Sequence, residues 1–222
     1  MRLILLGLPG AGKGTQAYAI AGRHGLLHVS TGDMFREAAA EGTDLGKRAQ
    51  EYMSRGDLVP DEVTIGMLLE RISRADAEPG FMLDGFPRTI AQAQALDAAL
   101  GERDEAIDAV LYIEVPEDDL MARLTGRWSC PGCGAIYHAL HQPPKEEGDC
   151  DNCGGTLTQR ADDQPETVKQ RLDVNRQSTE ALAGHYEHAS TLIRIDGTGD
   201  PLQVTARLLE ALERVPASAR RA

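Results

Sequence analysis

The sequence predicts an α/β fold in which a five-stranded parallel sheet is flanked by helices and carries two insertions. Five short apolar runs, at residues 3–6, 26–29, 81–83, 110–115 and 192–195, are bounded by Gly, Asp or Pro and have the length of buried strands. Helical patterns separate them, and buried strands that alternate with helices are typical of a parallel sheet. A glycine-rich turn directly follows the first run.

Eight helices are predicted from the apolar periodicity, at residues 14–23, 33–40, 45–54, 61–74, 90–100, 117–124, 165–189 and 201–214. Two segments depart from the alternation. Residues 30–59 hold two helical patterns with no strand between them, and residues 126–163 hold the four cysteines and many turn residues. We interpret both as insertions, so the core comprises residues 1–29, 60–125 and 164–222. Residues 216–222 lack an apolar period and predict a frayed tail.

The composition limits the classes of function. A chain of 222 residues with 41% hydrophobic residues can bury a sizeable single core. The net charge of −12 argues against a protein that coats nucleic acid or anionic membrane, because phosphate neutralisation drives such binding. The run at residues 3–6 is shorter than the hydrophobic region of a signal peptide, and no stretch approaches a membrane span. We expect a soluble cytoplasmic protein.

The turn at residues 7–15, GLPGAGKGT, lies between a strand and a helix, which is the context of a phosphate-binding loop. Its glycines let backbone N–H groups approach a polyphosphate, the helix N-terminus adds a positive dipole, and the lysine adds a charge. The expected ATP ligands are Gly10, Ala11, Gly12, Lys13, Gly14 and Thr15. The general motif has Ser or Thr directly after the lysine, so the magnesium role of the hydroxyl stays open here. A tight turn with a solvated lysine is the alternative.

Asp84 ends the third predicted strand. A carboxylate at that end of a buried strand can face the phosphate loop and hold magnesium, often through water. The alternative is an aspartate that caps a helix or a turn.

The cysteines form two C-x-x-C pairs, Cys130 with Cys133 and Cys150 with Cys153, separated by 16 residues. This spacing predicts a tetrahedral zinc site with a structural role, because four thiolates leave no position for water. Iron, two disulfides or a redox-active pair are the alternatives, and His138 and His141 are rival ligands.

Further motifs complete the pattern: STGDM at residues 30–34 with Arg36, GDLVPD at 56–61, LDGFPR at 83–88 with Gln92, Gly126-Arg127, and RADD at 160–163 followed by Arg171. Together and in this order they resemble the adenylate kinase family over nearly the whole chain. The resemblance implies reversible phosphoryl transfer from Mg-ATP to AMP, giving two ADP. It also implies an AMP-binding segment at residues 30–59, a zinc-stapled lid at residues 126–163, and a monomer.

The resemblance assigns site residues as follows. The catalytic residues are Lys13, Arg88, Arg123, Arg127, Arg160 and Arg171. Arg127, Ile136, Tyr137 and Gly199 join the phosphate loop in binding ATP. The AMP ligands are Thr31, Arg36, Asp57, Leu58, Val59, Gly85, Phe86, Pro87, Arg88, Gln92, Arg160 and Arg171. Arginines suit such a site, since a guanidinium grips two phosphate oxygens and stays charged when desolvated. One departure is Trp128, where many lids without cysteines carry a second arginine.

Two alternative functions remain at this stage. A kinase acting on UMP or CMP would share the fold and mechanism. An ATP-dependent regulator with a zinc ribbon would bind nucleic acid, but residues 134–149 contain one lysine against three acidic residues and the chain has no basic stripe with interleaved aromatics.

Overall fold

The computed structural model describes residues 1–215, so the tail predicted at residues 216–222 lies outside the described part. The strands are β1 (Arg2–Leu6), β2 (Leu27–Ser30), β3 (Phe81–Asp84), β4 (Ala109–Glu114), β5 (Arg127–Ser129), β6 (Ile136–His138) and β7 (Leu192–Asp196). Five of them form a parallel sheet in the order β2-β3-β1-β4-β7. The predicted five-stranded parallel sheet is confirmed.

Within residues 1–215 there are eight α-helices: α1 (Lys13–His24), α2 (Thr31–Ala40), α3 (Asp44–Arg55), α4 (Asp61–Ile72), α5 (Ile90–Gly101), α6 (Glu117–Thr125), α7 (Pro165–His188) and α8 (Pro201–Glu213). Short polar side chains begin several of them. Ser30, Thr43 and Thr89 each accept a hydrogen bond from the backbone N–H three residues on, and this satisfies donors that have no partner within the helix.

Apolar side chains cover both faces of the sheet. Leu3 and Leu5 of β1 belong to one buried cluster, with α1 and α8, and Ile4 and Leu6 belong to a second cluster, with α4 and α5. Successive strand residues point to opposite faces, so a strand buried on both sides must be apolar throughout. This explains the continuous run that predicted the strand.

Each insertion has a small core of its own. Phe35, Ala49 and Val59 are buried together between α2 and α3. In the second insertion, Tyr137 and Leu157 are buried with Cys130 and Cys150. The β5–β6 pair there is antiparallel and was not predicted, because three-residue strands rich in polar side chains have no apolar run.

The sheet order brings the carboxyl ends of β1 and β3 side by side, with Leu5 opposite Asp84. The phosphate loop follows β1, so both motifs lie at the edge where parallel sheets bind their ligands. Within residues 1–215, no helix has the length and apolar character needed to cross a membrane.

Candidate active site

A cavity of about 920 Å³ opens at the carboxyl ends of the sheet strands, between the phosphate loop and the two insertions. It is lined by every residue that sequence analysis assigned to nucleotide binding, with one exception. Phe86 is 1% exposed and packs in the core with α4 and α5, so its predicted contact with AMP does not involve its side chain in this structure.

The phosphate loop ends at Gly12, whose φ of 93° is in the left-handed region that favours glycine, and α1 begins at the next residue. The Lys13 ammonium donates hydrogen bonds to the carbonyl oxygens of Gly7 (2.7 Å) and Leu8 (3.0 Å). Burial, with the positive charges of nearby arginines, lowers the pKa of Lys13 to about 8, although Asp84 opposes the shift. A bound phosphate would relieve this penalty.

Asp84 faces the start of α1. Its Oδ2 lies 3.4 Å from the position that a Cβ at Gly14 would occupy. The side chain is 13% exposed, so a carboxylate oxygen is held beside the phosphate loop in a largely desolvated place. Such an oxygen suits a hydrated magnesium ion on bound ATP.

A buried carboxylate joins two of the predicted catalytic arginines. Asp163 is fully buried and accepts two hydrogen bonds from Arg127, at 2.8 Å and 2.6 Å, and one from Arg171, at 3.1 Å. Arg171 also donates to the Asp162 carbonyl oxygen at 2.7 Å. The arginine of β5 and the arginine of α7 are therefore held together. Sequence analysis quoted this aspartate within the RADD motif but did not assign it as a ligand of the arginines.

The other cationic side chains repel one another. Burial, followed by repulsion from neighbouring arginines, lowers the pKa of Arg88 and of Arg160 to about 10. The pKa of Arg171 is also lowered, chiefly by burial. Arg123 donates to the Gly197 carbonyl oxygen at 3.1 Å. Cations that are desolvated and close together favour a bound anion, and these surround the cavity where a phosphoryl group would lie.

A hydrogen-bonded chain fixes the orientation of Gln92. Its Nε2 donates to Asp61 at 2.7 Å, and its Oε1 accepts from the Arg88 backbone N–H at 2.7 Å. Asp61 also accepts from the Thr89 hydroxyl at 2.7 Å. A carboxylate only accepts hydrogen bonds, so the amide can face it in one way. Asp61 thus orients the residue expected to read the acceptor base, and sequence analysis did not assign it.

Thr31 and Gly85 lie on the same side of the cavity. The Thr31 hydroxyl donates to the Gly85 carbonyl oxygen at 2.9 Å, and the Arg88 Nε donates to the same oxygen at 2.9 Å. Gly85 has a φ of 80°, and a Cβ there would lie 3.0 Å from the hydroxyl oxygen. Arg36 makes an ion pair with Asp33 on the exposed side.

The four cysteine sulfurs form one cluster, with all Sγ atoms within 4.8 Å of one another. Cys130 and Cys153 have Sγ atoms 3.4 Å apart, and Cys133 and Cys150 have theirs 3.5 Å apart. A disulfide requires about 2.05 Å, whereas bonds of about 2.3 Å to a tetrahedral zinc ion place sulfurs about 3.8 Å apart. The thiols are free, and the cluster fits a four-thiolate metal site.

The two cysteine pairs have the same backbone geometry. In each, the N–H of the first cysteine donates to the carbonyl of the residue five positions on, and its own carbonyl accepts from the residue four positions on. A hydrogen bond with the Tyr137 hydroxyl lowers the pKa of Cys150 to about 6, which favours the thiolate. The predicted ATP residue Tyr137 thus turns its ring into the insertion core.

The rival ligand His138 points elsewhere. Its Nε2 lies 3.2 Å from the Ala122 carbonyl oxygen, and its Nδ1 accepts from the backbone N–H groups of Leu140 and His141. The metal-ligand cluster found within residues 1–215 contains the four cysteines and neither histidine. The two histidine rings stack on each other instead, with centroids 4.5 Å apart.

A phosphate loop at the centre of a parallel sheet, with arginines converging on one cavity, defines a P-loop nucleotide-binding protein equipped for phosphoryl transfer. A sequence model of the family "Adenylate kinase" matches residues 5–191. The chain belongs to the adenylate kinase family. It is 56% identical over 212 residues to an adenylate kinase of Geobacillus sp. (strain WCH70), with 96% of this chain and 98% of the relative covered. It is also 52% identical over 215 residues to one from Archaeoglobus fulgidus, with 97% and 99% covered, and 54% identical over 213 residues to one from Staphylococcus aureus (strain Mu50), with 96% and 99% covered.

Proposed function

We propose that this protein transfers the γ-phosphoryl group of Mg-ATP to AMP, reversibly, and yields two ADP. One observation carries the proposal: Lys13 and six arginines, which are Arg36, Arg88, Arg123, Arg127, Arg160 and Arg171, line a single cavity at the phosphate loop. The relatives are named adenylate kinase, which favours AMP over UMP or CMP as the acceptor and opposes the zinc-ribbon regulator.

The chemistry needs positioning and charge more than proton transfer. A phosphate oxygen of AMP is already anionic near neutral pH, so it can attack without a general base. Arg36 and Arg88 would hold the AMP phosphate, and Lys13 would contact the donor phosphates. Arg123, Arg127, Arg160 and Arg171 would close on the transferring group and stabilise its charge. Magnesium bound to ATP neutralises phosphate charge, and Asp84 would hold it through water.

The adenine groups would occupy the two ends of the cavity. Gln92, oriented by Asp61, would offer AMP one remaining amide hydrogen and one remaining lone pair. Thr31, Asp57, Leu58, Val59, Gly85 and Pro87 would complete that end, with Phe86 contributing backbone only. The loop residues Gly10 to Thr15, with Ile136, Tyr137 and Gly199, would hold ATP.

Both insertions would move as the site closes and excludes water. We assign residues 30–59 to the AMP-binding segment, residues 126–163 to the lid and the remaining described residues to the core. We propose Gly126 and the turn at Asp162 and Asp163 as the hinges of the lid. A Cβ at Gly126 would lie 2.5 Å from the His138 Nε2, so this position favours glycine. The lid core is too small to be stable alone, and zinc on the four thiolates would staple it.

We also propose a monomer located in the cytoplasm. Four free thiols in a metal-binding arrangement support a reducing compartment. Light scattering coupled to gel filtration tests the monomer directly, since a monomer has a mass of 24.0 kDa.

The deciding experiment measures ADP formation from Mg-ATP with AMP, GMP, CMP or UMP as separate acceptors and with a control lacking acceptor. We expect ADP only with AMP. Arg88→Ala should lose at least about 100-fold in kcat/KM, because a bidentate charged contact to the acceptor phosphate disappears. Arg74→Ala is the matched control, since Arg74 pairs with Glu70 on an exposed surface. Preference for a pyrimidine acceptor, or hydrolysis independent of acceptor, would contradict the proposal.

A further inference from the structure

His28 lies beside the proposed magnesium ligand. It belongs to β2, which pairs with β3 so that Ser30 stands opposite Asp84. The His28 Nε2 is 3.6 Å from the Asp84 Oδ2, and the two side chains are 12% and 13% exposed. This distance is slightly longer than a hydrogen bond, and within residues 1–215 the buried Nε2 has no other hydrogen-bond partner. A buried ring nitrogen without a partner is unfavourable, so a partner is expected in the working state.

The same carboxylate oxygen also faces the phosphate loop. Oδ2 of Asp84 is the atom nearest to a Cβ built at Gly14, at 3.4 Å. The oxygen therefore lies between the start of α1 and the His28 ring. Carboxylates that serve a metal are usually held by a hydrogen bond from behind, which limits their rotation. His28 is the group placed to make that bond.

Tyr18 connects His28 to the lid. Its ring meets the His28 ring edge-on, with centroids 4.9 Å apart and an interplanar angle of 74°. Tyr18 lies on α1 and is 60% exposed, and its hydroxyl lies 3.7 Å from the position of a Cβ at Gly134. Gly134 directly follows Cys133 in the first cysteine pair. Tyr18 thus stands between the cysteine cluster and His28.

We propose that His28 is a positioning residue for the Asp84 carboxylate and that Tyr18 couples this position to lid closure. The inference rests on the proposed function, because Asp84 must serve Mg-ATP. When bound nucleotide draws the lid closer to Tyr18 than it is in this structure, the His28 ring is pressed toward Asp84, and the 3.6 Å separation shortens to a hydrogen bond. Contacts of this kind are often long in a free enzyme and tighten in the complex.

The test compares His28→Leu with His28→Gln. Leucine keeps the bulk and removes the donor, whereas glutamine places an amide N–H near the position of the histidine Nε2. One readout is binding of a non-hydrolysable ATP analogue by titration calorimetry, with Mg²⁺ and with EDTA. The other is kcat as a function of free Mg²⁺.

We expect His28→Leu to raise the Mg²⁺ concentration for half-saturation about tenfold, as loss of a partner to a metal-binding carboxylate does. Binding in EDTA and the KM for AMP should not change, and His28→Gln should stay within about twofold of the unmodified protein. Unchanged Mg²⁺ dependence in His28→Leu would overturn the inference. Equal damage in both variants would also overturn it, since it would show a packing role.

Tyr18 provides a second test at an exposed position, where folding is not at risk. Tyr18→Ala should raise the half-saturating Mg²⁺ concentration in the same direction, and Tyr18→Phe should do so less, because the ring that contacts His28 remains. If Tyr18→Ala matches the unmodified protein, the coupling to the lid is wrong. Failure of the unmodified protein to phosphorylate AMP would refute the proposed function. If the unmodified protein is active and His28→Leu has the same Mg²⁺ dependence, only the positioning role is refuted.

Discussion

Replacing Asp163 with Asn is the most direct test of how the arginines are held. The buried carboxylate accepts three hydrogen bonds from Arg127 and Arg171, and the two arginine side chains are only 17% and 16% exposed. An asparagine keeps the shape but removes the charge and turns one NH₂ group toward the cations. Two buried arginines then face each other without their shared counter-ion.

The size of the effect follows from these contacts. Breaking a buried ion pair by removing one partner costs about 3–5 kcal/mol, and we expect the lower end, about 3 kcal/mol, because both arginines can gain some water. For a chain of this length that lowers the melting temperature by about 6–12 °C. Displacement of an arginine by about 1 Å should lower kcat about 100-fold.

The assay combines thermal unfolding with ADP formation, and Asp162→Asn is the matched control. The Asp162 carboxylate makes one ion pair within residues 1–215, with Arg171 at 3.0 Å, and its backbone carbonyl still accepts from that arginine after the change. Loss of this ion pair should lower the free energy of unfolding by about 1.5 kcal/mol. If Asp163→Asn melts within about 2 °C of the unmodified protein, or keeps more than about half its kcat, the arginines are not positioned by this carboxylate.

Three further predictions concern Lys13, the metal and the acceptor base. The pKa of Lys13 is lowered to about 8 in the free protein, and bound phosphate should raise it. Affinity for Mg-ATP should therefore be constant below pH 8 and fall up to about tenfold per pH unit above it. Lys13→Met should bind weakly, and its affinity should show no change of slope near pH 8. A change of slope in both proteins would mean that another group titrates there. Zinc removal should lower the melting temperature and leave single-turnover phosphoryl transfer largely intact; identical melting of metal-loaded and metal-free protein would contradict a stapling role. Asp61→Asn should let the Gln92 amide turn over and reduce the preference for AMP over other acceptors about tenfold. The control Asp97→Asn, on an exposed side of α5, should leave this preference unchanged. Equal acceptor selectivity in the two variants would refute the orienting role of Asp61.

Much of the fold was predictable because the signals were local. The five strands and eight helices lie within a few residues of their predicted bounds, since apolar runs and helical periodicity each report a buried face. The β5–β6 pair escaped prediction because backbone hydrogen bonds and the cysteine cluster hold it, and neither leaves an apolar pattern.

The motifs of the site were predictable, but the hydrogen-bond partners of its residues were not. The glycine loop, the arginines and the cysteine spacing all name chemistry through residue type. The roles of Asp61 and Asp163 depend on contacts across 31 and 36 positions of the chain, which one sequence cannot display. Phe86 shows the converse limit, because a residue inside a binding motif turned its side chain into the core.

The separate cores of the two insertions bear on how each can open, or change in sequence, independently of the sheet. The sheet has its own apolar clusters on both faces, and neither insertion core shares a buried residue with them. A substitution at Leu157 or Phe35 should therefore raise local opening, visible by hydrogen exchange, before it affects the whole chain. For the same reason, the cysteine-centred core could be replaced as a unit by one that ordinary polar contacts hold, without a change in the sheet and phosphate loop beneath it.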